Sequence, residues 1–274
     1  MRISLSKVEQ EAPELVSAYK QTKISLAKHE HLRDHIARVA LVLDISASMS
    51  GLYNSGLVDR LVAKAMPVGL QFDDDGEIDV FAFGVDSYEI ASYGMADYKG
   101  CVSSILERHN LEGGTRYARA LELLEAKYAN STDPVYVIFV TDGDTEQADK
   151  VSYLIRKMSK LPIFIQFVGL GEQIPPEGFD IDGNAEPAPA KKAGFFARLL
   201  GASGSTASAS SRRPSTSGFK YLCELDSMGG REVDNCNFFA LKDPASVSDE
   251  RFYELLMNEY PSWVKEAKSK GILN

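Results

Sequence analysis

The chain has 274 residues, 44% of them hydrophobic and 25% charged, an ordinary globular composition with enough apolar material for one large core. Its formal net charge of -9 makes a field that repels phosphate, so the chain is expected to be a poor general binder of nucleic acid or anionic membrane, and cations and basic partners are favoured. No apolar run is long enough for a transmembrane helix, the amino-terminal MRISLSKVEQ lacks a signal-peptide core, and Cys101, Cys223 and Cys236 are too few and too far apart for a disulfide framework or a C-x-x-C metal site. Reduced, buried thiols in a cytoplasmic protein are the expectation.

Residues 1–35 read as an amino-terminal extension. They hold a near-repeat, RISLSK at 2–7 and KISLAK at 23–28. Each copy alternates apolar and polar residues, so each is expected to be a short strand, the pair forming a hairpin-like or edge element. Continuous apolar runs follow at 38–43 (RVALVL), 78–83 (IDVFAF), 135–140 (VYVIFV), 163–168 (IFIQFV) and 238–241 (FFAL). Runs of this kind suit strands buried on both faces of a parallel sheet. Between them lie helical periodicities: Tyr117, Ala120, Leu121, Leu124 and Tyr128 share one face, as do Ala148, Val151, Leu154, Ile155 and Met158. Strands alternating with helices predict an α/β fold with a mostly parallel sheet covered on both sides, spanning residues 36–245.

The pattern breaks at Gly171 and resumes at Phe219. Residues 172–218 are rich in Gly, Ala, Ser, Thr and Pro and are expected to be a disordered insertion within one domain, because too little apolar surface is available to offset ordering entropy. Inside it, residues 191–200 (KKAGFFARLL) read equally as a docking or weakly membrane-touching segment and as a short helix packed on its own domain. Residues 246–274 read as a helical segment. Ser248 is expected to cap its first helix, with Asp249 and Glu250 in the first turn, and Pro261 to open or kink the next.

The chemistry gathers where the first apolar run ends, in Asp44-Ile-Ser46-Ala-Ser48. In an open α/β sheet, ligands sit outside the carboxyl ends of the strands. There one carboxylate and two hydroxyls can converge. Two further segments are expected on the same side of the sheet: Gly113-Gly-Thr115, just before a helix, with a third alcohol, and Thr141-Asp142-Gly143, at the end of the 135–140 run, with a second carboxylate. Oxygen donors of this kind suit hard divalent cations.

D-x-S-x-S, then a Thr after a Gly pair, then T-D-G, resembles the metal-ion-dependent adhesion site of von Willebrand factor A (vWA) domains. Asp44, Ser46, Ser48, Thr115 and Asp142 match that pattern in order and spacing. The resemblance implies a three-layer α/β/α, Rossmann-like domain with one antiparallel edge strand. It also implies Mg2+ or Mn2+, with Ca2+ as a third candidate, held partly through water. One coordination position would be left for an acidic side chain of a protein partner. More narrowly, residues 38–46, 51–53, 72–76, 80–83 and 233–235, with the two leading near-repeats, look like the vWA domain of TerF-type tellurium-resistance proteins. That likeness implies a scaffold in chemical-stress resistance acting with TerD-like partners.

Other readings compete with this one. Asp73-Asp74-Asp75-Gly76 with Glu77 and Asp79 suggests a second calcium site, but it lacks the ligand spacing of an EF-hand and reads better as a solvated turn. Asp180, Asp182 and Asn184 make at most half a calcium loop. A metal-dependent hydrolase or phosphatase needs an acid-base carboxylate where Ser46 stands, Ser46 is not in a G-x-S-x-G elbow, and none of His29, His31, His35 and His109 has a triad context. The expectation is a binding module and not an enzyme, with a scaffold recruiting through residues 172–218 as the further alternative.

Overall fold

The continuous apolar runs are strands in the computed structural model, which describes residues 3–32, 35–73, 75–173 and 218–274. They are β1 (Arg38–Asp44), β2 (Ile78–Phe83), β4 (Val135–Thr141), β5 (Ile163–Leu170) and β6 (Cys236–Leu241), with β3 (Ser87–Tyr93) added as a hairpin partner of β2. The sheet order is β3-β2-β1-β4-β5-β6. All neighbours are parallel except β2 and β3. The expected α/β fold with one antiparallel edge strand is therefore present. β3 escapes hydrophobic patterning because it lies at the edge, with most of its residues partly or fully exposed.

Side chains alternate between two cores, as strand geometry requires. Val39, Leu41 and Leu43 of β1 enter one core, and Ala40 and Val42 the other. The first core is closed by α2 (Val16–Ala27), α4 (Leu57–Phe72), α9 (Asp249–Leu256) and α10 (Tyr260–Ser269). The second is closed by α6 (Tyr117–Tyr128), α7 (Ala148–Met158) and α8 (Lys220–Asp226). Ser248 accepts a hydrogen bond from Arg251 N at 3.2 Å and caps α9, and Pro261 stands in the first turn of α10.

The near-repeats are helical and not the expected strands. Leu5 opens α1 (Leu5–Glu11), and residues 23–27 lie in α2. In α2 the buried positions are Ala18, Tyr19, Thr22, Ser25 and Leu26, a helical spacing, whereas Ile24 is half exposed. Two of the inward side chains are polar, and Thr22 Oγ1 donates to Ala18 O at 2.9 Å within the helix. Polar inward residues turned a period near 3.6 into apparent alternation.

Asp73 and Asp75 lie near Arg38, with N–O distances of 3.6 and 3.4 Å, and no group of three or more His, Cys, Asp or Glu side chains is arranged to hold a metal among the described residues. Asp74, the insertion reading apart from its end residues, the 191–200 segment and the Asp180–Asn184 half-loop lie outside the described residues. Cys101, Cys223 and Cys236 are buried, and none of the three is in a disulfide. Among the described residues no helix is long and apolar enough to cross a membrane.

Candidate metal site

After β1 the chain builds β2 and β3 on one side, then crosses to place β4 on the other, so the strand order reverses between β1 and β4. Such a switch point leaves a crevice at the carboxyl ends of the two strands. Register pairs Leu43 with Val140, which puts Asp44 and Thr141 next to each other at that edge.

Asp44 is fully buried. Its Oδ1 accepts from Ser46 N at 2.7 Å, its Oδ2 from Thr141 Oγ1 at 2.6 Å, and its backbone carbonyl from Tyr53 Oη at 2.8 Å. The first bond is the short Asp-to-i+2 closure that turns the chain sharply after the strand. Ser46 Oγ and Ser48 Oγ are hydrogen-bonded at 3.0 Å, and Ser48 Oγ donates to Asp142 Oδ1 at 2.9 Å. Asp44, Ser46, Ser48 and Asp142 thus form one continuous hydrogen-bonded run.

Thr115 stands on the loop before α6, half-buried. Its carbonyl accepts from Thr145 Oγ1 at 2.9 Å, which ties it to the loop that carries Asp142. Among the described residues its hydroxyl makes no hydrogen bond to the other four. The structure therefore joins the Ser46, Ser48 and Asp142 side chains directly, joins Asp44 to them through the Ser46 backbone N–H, and brings Thr115 in through its carbonyl.

Burial pushes the Asp44 carboxyl up to about 6 against the hydrogen bonds from Ser46 and Thr141, and the Asp142 charge raises it further. Burial also raises the Asp142 carboxyl, against the bond from Ser48. Among the described residues no lysine or arginine forms an ion pair with either one. Two carboxylates held above their usual range, lined with hydroxyl oxygens and ion-paired to no lysine or arginine among the described residues, form a donor set that a hard divalent cation fits. Asp44, Ser46, Ser48, Thr115 and Asp142 are the residues that would hold it.

Several supporting residues were not singled out from sequence. Thr141 fixes Asp44, and Tyr117 Oη donates to Gly143 O and lies 3.2 Å from Thr141 Oγ1. Gln173 Nε2 donates to Asp142 O, and the Asp144 carboxylate accepts from Tyr221 N at 3.2 Å, in the first turn of α8. The threonine of T-D-G carried a visible signal for its role. The contacts of Gln173 and Asp144 join segments far apart in the chain and had none.

A family model described as the vWA domain found in the TerF C terminus matches residues 36–181 and 214–273. The uncharacterized protein YcbR of Bacillus subtilis (strain 168) is 30% identical over 260 residues, 93% of this chain and 88% of its own length. Among solved structures, proximal thread matrix protein 1 from the mussel byssus, with a zinc-occupied MIDAS motif, aligns at 17% identity and a TM-score of 0.47. That alignment covers 82% of this chain but only 46% of the mussel protein, so the chain spans less than half the length of that relative. Manganese-loaded TRAP protein of Plasmodium vivax aligns at 17% identity and a TM-score of 0.39, over 50% of this chain and 57% of its own. The family model covers most of the chain and YcbR matches it nearly end to end, and on those two matches the chain belongs to the family of vWA domains found in the TerF C terminus.

Proposed function

We propose that this chain is a metal-dependent protein-binding module. A divalent cation, Mg2+ or Mn2+ in the first place and Ca2+ in the second, is held by Asp44, Ser46, Ser48, Thr115 and Asp142. An acidic side chain of a protein partner completes its coordination. The observation that carries this reading is the run of bonds from Asp44 through Ser46 and Ser48 to Asp142 at the switch point, with both carboxyls raised. With few anionic ligands the cation keeps its attraction for an external carboxylate.

The module binds and does not catalyse. Ser46 stands where a phosphotransferase would need an acid-base carboxylate. His31 and His35 bond Pro261 O and Tyr260 Oη near the start of α10, and His109 packs on Tyr88, with ring centroids 4.1 Å apart. Placement in a TerF-type family supports an intracellular role in tellurium or chemical-stress resistance with TerD-like partners.

The test is a thermal melt with Mg2+, Mn2+, Ca2+ or chelator, paired with affinity capture from the native cell. A cation at about 100 times its Kd adds roughly 2.7 kcal/mol of stability. Asp44→Ala removes both that gain and the capture of partner. Absence of any metal response, or phosphatase turnover that Asp44→Ala abolishes, overturns the reading. A second reading gains support because Gln173, just before residues 174–217, and Tyr221, just after them, are both bonded to the Asp142–Asp144 loop. If the 172–218 region recruits the partner instead, deleting residues 191–218 removes capture and Asp44→Ala spares it.

A further inference from the structure

Thr115 lies on a different loop from Ser46 and Ser48, and both loops lie outside the named strands, so something must fix the distance between them. Glu112 lies between these loops. Its backbone forms an isolated parallel bridge with Ser46: Glu112 N donates to Ile45 O at 2.8 Å and Ala47 N donates to Glu112 O at 2.7 Å. Its side chain points the other way, into the β2–β3 turn. Oε2 accepts from Val85 N and from Asp86 N, the latter at 3.0 Å, and Oε1 accepts from Tyr88 Oη at 2.6 Å. The approach to that turn is close. A Cβ at Gly84 would stand 2.7 Å from both Glu112 Cβ and Oε2, so only glycine admits the carboxylate there. Arg116 N donates to Gly84 O at 2.8 Å, which fastens the far side of Thr115 to the same turn.

We propose that Glu112 is a positioning residue of the metal site. Its backbone locks the Asp44–Ser48 loop, while its carboxylate locks the 112–116 loop to the β2–β3 turn, so that the loop carrying Thr115 is held beside the loop carrying Ser46 and Ser48. The proposal rests on the metal-site reading above. Glu112 itself touches no cation. Three hydrogen bonds to one carboxylate, two of them from backbone N–H groups, hold it in a single orientation. Groups bonded directly to metal ligands alter metal affinity by roughly 10- to 100-fold when removed, and Glu112, which acts through the loops that carry the ligands, belongs at the lower end of that range.

The experiment measures Mn2+ and Mg2+ affinity by calorimetric titration of the full chain, and the melting temperature of the metal-free chain, in five variants. Glu112→Ala should weaken metal binding at least about tenfold. Glu112→Gln keeps an acceptor for the two backbone N–H groups and a donor for Tyr88 Oη, and should restore affinity to within about twofold. Tyr88→Phe removes one of the three bonds and should fall between them, which keeps the test sound if Glu112→Ala folds poorly. Ser248→Ala, a lost helix cap remote in sequence, lowers stability without moving affinity. Asp44→Ala abolishes binding. If wild type binds metal and both Glu112→Ala and Tyr88→Phe bind it equally well, the positioning role is wrong and the site stands. If wild type binds no metal at all, the site itself is wrong and the role of Glu112 goes with it.

Discussion

Asp44 sets burial against charge, and this has a measurable consequence. Its folded-state pKa is about 6, against an ordinary value of 3.8. Between those values the metal-free folded chain keeps a proton that the unfolded chain has released. Stability from this group is therefore present below the ordinary value, falls as pH rises toward about 6, and above that leaves a penalty on the order of 3 kcal/mol. The metal-free chain should melt higher at about pH 5.5 than at about pH 7.5 by an increment that Asp44→Asn removes. Saturating Mg2+ should reverse the trend, because the cation competes with that proton and needs the carboxylate. A wild-type and Asp44→Asn pair with the same pH dependence, with and without metal, would show that burial leaves this carboxyl unperturbed.

At the scale of elements, β5 and α8 meet at a point with no slack. A Cβ at Gly169 would lie 2.8 to 3.0 Å from three atoms of the Phe219 ring. Phe219 is itself fully buried with φ at +62°, a left-handed backbone that few bulky residues adopt. Neither the ring nor its backbone can move away cheaply. Gly169→Ala should cost roughly 1–3 kcal/mol by overpacking and speed hydrogen exchange in α8. Unchanged exchange there would mean that the ring swings aside. What the sequence revealed at this scale follows the same physics. The doubly buried strands were legible because both faces are apolar, and the capped α9 because Ser248 and its acidic first turn are local signals. The segment at 23–27 was misread because Thr22 and Ser25 face inward, and the place of β3, the antiparallel edge strand that the resemblance implied, passed unseen because Ser87–Tyr93 makes no continuous apolar run and lies mostly exposed. Asp44, Ser46, Ser48 and Asp142 were legible as motifs on strand ends. Glu112, whose role arises from a bridge to residue 46 and a carboxylate bonded at residues 85, 86 and 88, leaves no pattern in a linear reading.

At the scale of the molecule, the amino- and carboxyl-terminal helices close the same core. Val8, Leu15, Tyr19, Leu26 and Leu32 are buried in the cluster that also holds Phe252, Leu256, Trp263 and the β1 side chains Val39, Leu41 and Leu43. Lys28 Nζ donates to Glu254 Oε1 at 2.7 Å, and His35 Nε2 and Tyr260 Oη share a hydrogen bond at 2.7 Å. The family match begins at residue 36, which makes that position the natural place to cut. What those five side chains gain by burial is offset by the conformational entropy of ordering their segment. The net loss therefore comes from the face of α4 and α9 left open to water. A loss of about 3 kcal/mol would lower the melting temperature of a chain of residues 36–274 by roughly 6–12 °C. Hydrogen exchange should quicken in α4 and α9 first. The cation response should persist in the folded fraction, since Asp44, Thr115 and Asp142 draw no hydrogen bond from the described residues among the first 35. If the shortened chain melts as the full one does, the leading helices are an accessory layer. If it melts lower but also loses metal binding, the two ends of the sheet are coupled in a way that packing alone does not provide.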